Sequence, residues 1–155
     1  MNANEAVKMA ESKCKAHGVP ITAKRVEVLS ILLTSKCAVS AYEIADLYEE
    51  AFHDPVPVIT VYRVLNFLQQ KDLVHKLETA NKFIVCEHIS CQHTHHASQF
   101  LICKECMLVK ELSVSDAEFE KISKTVKQAG FHIQTNQLEM NCICDDCFTK
   151  KSNQN

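Results

Sequence analysis

Apolar residues recur at three- and four-residue steps over roughly the first seventy positions, and from there the period shortens to two. From Glu5 to His17, the spacing of Ala6, Val7, Ala10 and Cys14 predicts a modest helix, which Gly18 and Pro20 end. Thr22 can cap a second helix, whose broad apolar surface of Val26, Leu29, Ile31, Leu32 and Leu33 runs through to the Ser35/Lys36 region. Ser40 with Glu43 three residues later forms a capping box for a third, ahead of Ile44, Ala45, Leu47 and Tyr48. The segment His53–Asp54–Pro55–Val56–Pro57 resists helix, because each proline restricts its predecessor. A fourth helix then runs from about Val58 to Gln70, with Val58, Val61, Leu65 and Leu68 on one buried stripe and Arg63 and Asn66 in water. Leu73 to Glu78 and Lys82 to Cys86 read as short strands joined around Thr79–Ala80–Asn81. Helices followed by a hairpin in this order predict a winged helix-turn-helix.

The rest of the chain changes character. Phe100 to Cys103 and Val109 to Leu112 are strand candidates, Ser115 with Glu118 caps a helix ending near Gly130, and Phe131 to Met140 is a last strand candidate. Lys151 to Asn155 are all polar and expected to fray. The expected fold class is therefore α/β (α+β): a winged-helix domain over residues 1–84, a hinge over 85–95, and a small α/β domain over 96–150. At about 60 residues the second domain is too small to be comfortable alone, so a metal and a partner subunit would both help it. No stretch approaches the ~20 apolar residues of a membrane span, and residues 1–17 do not have the shape of a signal peptide, so the expected compartment is the cytoplasm.

Nine cysteines, an odd number in a chain with no export signal, favour metal ligation over disulfides. Cys103–Lys104–Glu105–Cys106 and Cys144–Asp145–Asp146–Cys147 are two CxxC pairs that a strand, a helix and another strand can fold together. Four thiolates converging tetrahedrally suit a closed structural zinc site. Redox dithiols are the competing use of such pairs, but a catalytic CxxC needs only one pair beside a helix start. Cys142 could stand in for Cys144, although the CxxC pair makes the better knuckle.

A second collection of donors lies between the wing and the first CxxC: His75, Cys86, His88, Cys91, His93, His95 and His96, with Glu111 beyond. Imidazoles, thiolates and a carboxylate suit Zn²⁺ and can bind Fe²⁺, Co²⁺ or Ni²⁺. His75 sits on the expected wing and Glu111 on the C-terminal domain, so one ion bound by both would restrict the angle between the domains and couple metal to domain arrangement. A hydrolytic use of such a site finds no support: there is no HExxH sequence, no Ser nucleophile elbow, and only two glycines, so no phosphate-gripping loop.

Charge does not announce nucleic acid, with 17 basic against 19 acidic residues. Phosphate or base contacts must come from placement, above all of Arg25 and Arg63, the only arginines. The fourth helix offers Thr60, Tyr62, Arg63 and Asn66 near or opposite its buried stripe, as a recognition helix would. Lys24, Arg25 and Lys36, and Lys76 and Lys82 on the wing, are further candidates for phosphate, although dispersed surface lysines look the same.

Ile21–Thr–Ala–Lys–Arg–Val–Glu–Val–Leu29, Ser40–Ala–Tyr–Glu–Ile44, Thr60–Val–Tyr–Arg–Val–Leu65, Leu73–Val–His–Lys–Leu77, Phe100–Leu–Ile–Cys–Lys–Glu–Cys106 and Cys144–Asp–Asp–Cys147 together resemble the ferric uptake regulator family of metal-dependent transcriptional repressors, over nearly the whole chain. The resemblance implies a homodimer formed by the C-terminal domain, an A·T-rich palindromic operator, and co-repression by metal. It puts Tyr62 and Arg63 on the recognition helix, Arg25 beside the second helix, and Cys103, Cys106, Cys144 and Cys147 around a structural zinc. The zinc-responsive branch of the family implies His75, Cys86, His96 and Glu111 as regulatory ligands, with His93 or His95 competing for the place of His96. His88, Cys91, His93 and His95 are candidates for an additional site. The His-His-Asp-His run of iron- and manganese-responsive members is replaced by Thr94–His–His–Ala–Ser–Gln–Phe100, and Cys86 is a soft ligand, so the expectation is a repressor of zinc-acquisition genes carrying one structural and at least one regulatory zinc per subunit. An iron- or peroxide-responsive regulator of the same family is the nearest alternative, and a zinc-buffering protein a more distant one.

Overall fold

The computed structural model describes residues 3–16, 18–87 and 97–152. The chain divides into two compact units, Met1–Cys91 and Gln92–Asn155. Residues 88–95 of the expected hinge lie outside the described residues, as does His96. Among the described residues no helix is long and apolar enough to cross a membrane.

The first unit contains α1 (Ala3–Ala16), α2 (Ala23–Thr34), α3 (Ala41–Phe52), α4 (Val58–Gln70) and a hairpin of β1 (Val74–Leu77) and β2 (Lys82–Val85). Ala6, Ala10 and Cys14, spaced four apart, turn one face of α1 into a core shared with Val28, Leu29 and Leu32 of α2. Ile44 and Tyr48 of α3 and Val61, Leu65 and Leu68 of α4 complete it. Burying a side chain of this size contributes about 1.5–3 kcal/mol, so this shared core, more than helix propensity, holds the four helices. Tyr48 is buried to its hydroxyl, which donates to Glu27 Oε2 at 2.6 Å, so its polar end is satisfied.

Local chemistry sets the boundaries. The Ser40 side chain accepts from the Glu43 N–H, and the Glu43 side chain accepts from the Ser40 N–H, making the expected capping box. Thr22 takes the N-cap position of α2, but its side chain makes no capping hydrogen bond. The turn between β1 and β2 uses Asn81 at φ 49, a left-handed conformation that asparagine tolerates. The hairpin is antiparallel with His75 opposite Ile84, and it is tied to the helices by a bridge in which Val39 and Phe83 exchange backbone hydrogen bonds at 3.1 and 2.7 Å. Phe83, fully buried, drives the wing into the helical core. Lys82 beside it donates to Glu43 at 2.8 Å, joining the wing to the cap of α3.

The second unit contains β3 (Ser98–Cys103), β4 (Val109–Ser113), α5 (Asp116–Gln128), β5 (Gln137–Cys142) and α6 (Asp145–Ser152). The sheet order is β4-β3-β5: β4 antiparallel to β3, and β5 parallel to it after the α5 crossover. The Ser115–Glu118 capping box opens α5 as expected. The last strand begins at Gln137 rather than near Phe131, because pairing starts at Ser98↔Gln137, where its partner β3 begins. Helix α6 was not expected from the sequence, where residues from Lys151 onward read as a fraying end; Lys151 instead lies in α6 and pairs with Glu105 at 2.7 Å. Its signal was a polarity of charge, Asp145 and Asp146 in the first turn and Lys150 and Lys151 in the last. Neither α5 nor α6 has a buried residue, and Phe100, Ile102 and Val109 make up most of the small apolar centre.

The Lys82 ion pair, and then the Ser40 N–H, lower the Glu43 carboxyl from the usual 4.5 to about 2. Because the folded value lies below the unfolded one, the associated stability is complete above pH 4.5 and is lost as pH falls through 2. With Glu43 about half exposed, solvent screening leaves a contribution of about 1 kcal/mol. Glu43→Gln keeps the capping geometry and loses the charge, so urea unfolding should show a deficit of about that size at pH 7, roughly halved by pH 3. A deficit that stays constant with pH would assign the loss to packing instead.

Candidate functional site

Two turns bring the cysteine pairs together. In the first, Met107 N–H donates to Cys103 O at 2.9 Å with Met107 at φ 59, and Cys103 N–H donates to Leu108 O, folding the CxxC back on itself. The second opens α6: Phe148 N–H donates to Cys144 O at 2.9 Å, so Cys144 precedes the helix and Cys147 sits in its first turn. The four Sγ atoms lie within 4.8 Å of one another, and Cys106 Sγ is 3.7 Å from Cys144 Sγ. Zn–S bonds of ~2.3 Å at tetrahedral angles require sulfurs about 3.8 Å apart. The donor set and its spacing therefore fit a tetrahedral thiophilic dication. Cys142 is not one of the four; its Sγ contacts the Met140 carbonyl.

The electrostatics agree. N–H groups of Cys144 and then Cys106 donate to Cys103 and lower its thiol from 9.0 to about 6. Cys147 is pushed up to about 12, first by its hydrogen bond to the Cys144 sulfur and then by desolvation. Without metal Cys103 ionises readily while Cys106 and Cys147 resist it, and a dication removes that resistance.

The second donor set begins on the wing. His75 lies in β1 and Cys86 follows β2, held by its N–H to Leu73 O at 3.0 Å; their ligand atoms lie within 4.8 Å of each other. Nε2 of His75 and the Cys86 side chain are both buried. On the second unit, Glu111 of β4 is only 4% exposed, and its Oε1 accepts from the Ser98 hydroxyl at 3.0 Å. The chain thus carries an all-cysteine set of candidate metal donors on the second unit and a His–Cys pair on the wing of the first. His88, Cys91, His93, His95 and His96 lie outside the described residues.

On α4, Arg63 and Asn66 are exposed, while Thr60 and Tyr62 are half-buried and Tyr62 meets Phe83 edge-on at 6.3 Å between ring centroids. Arg25, in the first turn of α2, lays its guanidinium on the ring of Phe67. Lys82, Lys76 and Lys24 each face a carboxylate, of Glu43, Glu78 and Asp54 respectively.

Residues 16–141 match the model of the ferric uptake regulator family. The chain belongs to that family. It is similar to the zinc uptake regulation protein of Escherichia coli (strain K12), 35% identical over 143 residues that span 92% of this chain and 81% of that protein. Among solved structures it is similar to a zinc uptake regulator complexed with zinc and DNA, 30% identical with a TM-score of 0.85 over 98% of this chain and 99% of that one. It is also similar to holo XcZur, 35% identical with a TM-score of 0.76 over 94% and 99%.

The sequence reading missed two residues that touch candidate site residues, Ser98 and Phe67. Ser98, buried against Glu111, carried no periodic or motif signal. Phe67 is not among the positions the helix periodicity singled out, and Arg25 rests on its ring.

At pH 7 Cys103, lowered to about 6, is already ionised in the metal-free cluster. Zinc binding as a tetrathiolate should expel protons at pH 7 and about one more below pH 6, where Cys103 is protonated and affinity falls. Calorimetry in buffers of differing ionisation enthalpy counts them; proton release near zero at both pH values would mean that the four thiols do not ligate.

Proposed function

We propose that this chain is a zinc-responsive transcriptional repressor, which binds operator DNA as a metal-loaded homodimer and represses zinc-acquisition genes. The observation that carries this reading is an imidazole and a thiol, His75 and Cys86, converging on the wing of a winged helix-turn-helix. A soft thiolate beside imidazole favours Zn²⁺ over Fe²⁺ or Mn²⁺. The 35% identity to a zinc uptake regulation protein supports the same choice.

Two zinc ions with different tasks follow. Cys103, Cys106, Cys144 and Cys147 hold the structural one, closed and fully thiolate-ligated, which stabilises a unit with little apolar core. His75, Cys86, His96 and Glu111 hold the regulatory one, with donors from both units, so that loading it selects one arrangement of the units. An ion at about a hundred times its dissociation constant favours the state that binds it by about 2.7 kcal/mol, a hundredfold in coupled affinity. Scarcity empties this site first, because it must draw together donors from two units. His88, Cys91, His93 and His95 are the candidates for an additional site.

DNA is read by α4, with Arg63 and Asn66 toward the bases, Thr60 and Tyr62 toward the groove wall, and Arg25 toward the backbone. The operator is an A·T-rich palindrome, matching the two-fold axis of the dimer. Leu112, Ile122 and Met140, exposed on the second unit, support subunit contact there. The activity is that of a cytoplasmic regulator rather than an enzyme.

The test is operator-fragment binding by full-length protein with free Zn²⁺, Fe²⁺ and Mn²⁺ buffered separately against a scrambled duplex. Trace zinc should raise operator affinity about a hundredfold. His96→Ala should remain a folded dimer that keeps one zinc per subunit and loses the zinc-dependent gain. Restoration of binding by iron or manganese alone would keep the family and overturn the signal.

A further inference from the structure

The chain has only two arginines, and both come to α4. Arg63 and Phe67 are four residues apart on one face of that helix. Arg25 reaches across from α2 and lays its guanidinium on the Phe67 ring, with Cζ 3.4 Å from the ring centroid. Its neighbour Lys24 turns elsewhere, to Asp54 at 3.4 Å and the Tyr48 ring. Among the described residues, the Arg25 side chain has neither a carboxylate partner nor a hydrogen bond.

The first turn of α2 carries Lys24 and Arg25 and no acidic residue, against the preference of a helix N-terminus for negative charge. Arg25 is also brought to the helix face that presents Arg63. An incoming polyanion reverses both penalties. Stacking occupies only the π face of the guanidinium, and its N–H donors lie in the plane, directed past the ring edge where phosphate oxygens can accept them. Stacking also removes rotamer freedom from a long side chain before binding, so less is lost when DNA arrives.

We propose that Phe67 is a positioning residue for DNA binding: its ring holds the Arg25 guanidinium beside Arg63, so that Arg25 on the backbone and Arg63 on the bases close on the duplex as one preset clamp. This inference rests on the DNA-binding reading above and adds to it a residue that touches no DNA.

The experiment uses full-length, zinc-loaded protein and measures affinity for operator duplex over a salt series. Arg25→Ala should lower affinity about tenfold and reduce the slope of log affinity against log salt by about one, the mark of one lost phosphate contact. Phe67→Leu, which keeps apolar bulk, should reproduce most of that loss in affinity and slope. The double variant should be no weaker than Arg25→Ala, and Phe67→Tyr should restore wild-type behaviour. In the free protein, the Arg25 Nε–Hε NMR signal should show an upfield ring-current shift, retained in Phe67→Tyr and lost in Phe67→Leu. Arg25→Lys, which keeps the charge without a planar group to stack, provides a second route that leaves Phe67 intact and should also lose affinity.

Wild-type affinity and salt slope in Phe67→Leu or Arg25→Lys would overturn the proposal, as would losses from Phe67→Leu and Arg25→Ala that simply add. Absence of operator binding by the wild-type protein at any zinc level would overturn the positioning role together with the DNA-binding reading. An Arg25 signal without the upfield shift, in protein that binds the operator, would overturn the clamp alone.

Discussion

Four cysteine sulfurs within 4.8 Å of one another are tolerable as thiolates only around a cation, and the second unit is organised about that requirement. Cys103 ends β3, Cys106 closes the following turn, and Cys144 and Cys147 open α6. One ion there would tie the ends of two strands and a helix whose own packing is thin, since α5 and α6 bury no residue and Phe100, Ile102 and Val109 form most of the apolar centre. A unit of about 60 residues with so little core needs another source of cohesion, and a thiolate-bound metal contributes its binding energy directly to folding.

The first unit has the opposite economy. Four helices share one apolar core, Phe83 inserts the wing into it, and the Lys82–Glu43 pair joins the wing to the cap of α3. The wing is thus positioned before any metal arrives, and His75 and Cys86 are held as a pair on a formed hairpin. Such a pair is too few donors for a closed site. In the proposed mechanism the missing donors come from beyond the wing, and that incompleteness makes the ion a switch rather than a second staple.

Much of this was legible in the sequence where the determinants are local. The Ser40–Glu43 and Ser115–Glu118 boxes, the bounds of α4, the Asn81 turn and the two CxxC pairs each depend on chemistry within a few residues, and each is seen in the structure. What was missed depends on partners distant in sequence. The start of β5 is set by where β3 begins, the stack of Arg25 on Phe67 by the packing of α2 on α4, and the role of Ser98 by its place beside Glu111. Helix α6 is the exception, since its charge polarity was readable and was passed over in favour of the cysteines around it.

The central claim is that one zinc builds the protein and another switches it. The most direct measurement follows zinc stoichiometry by native mass spectrometry and operator occupancy by fluorescence anisotropy on the same samples, across a series of zinc buffers. The account predicts that the first zinc per subunit is retained at the lowest buffered zinc with the operator unbound, and that occupancy rises with the second. Operator occupancy that saturates with only one zinc per subunit, or that ignores the loading of the second, would contradict it.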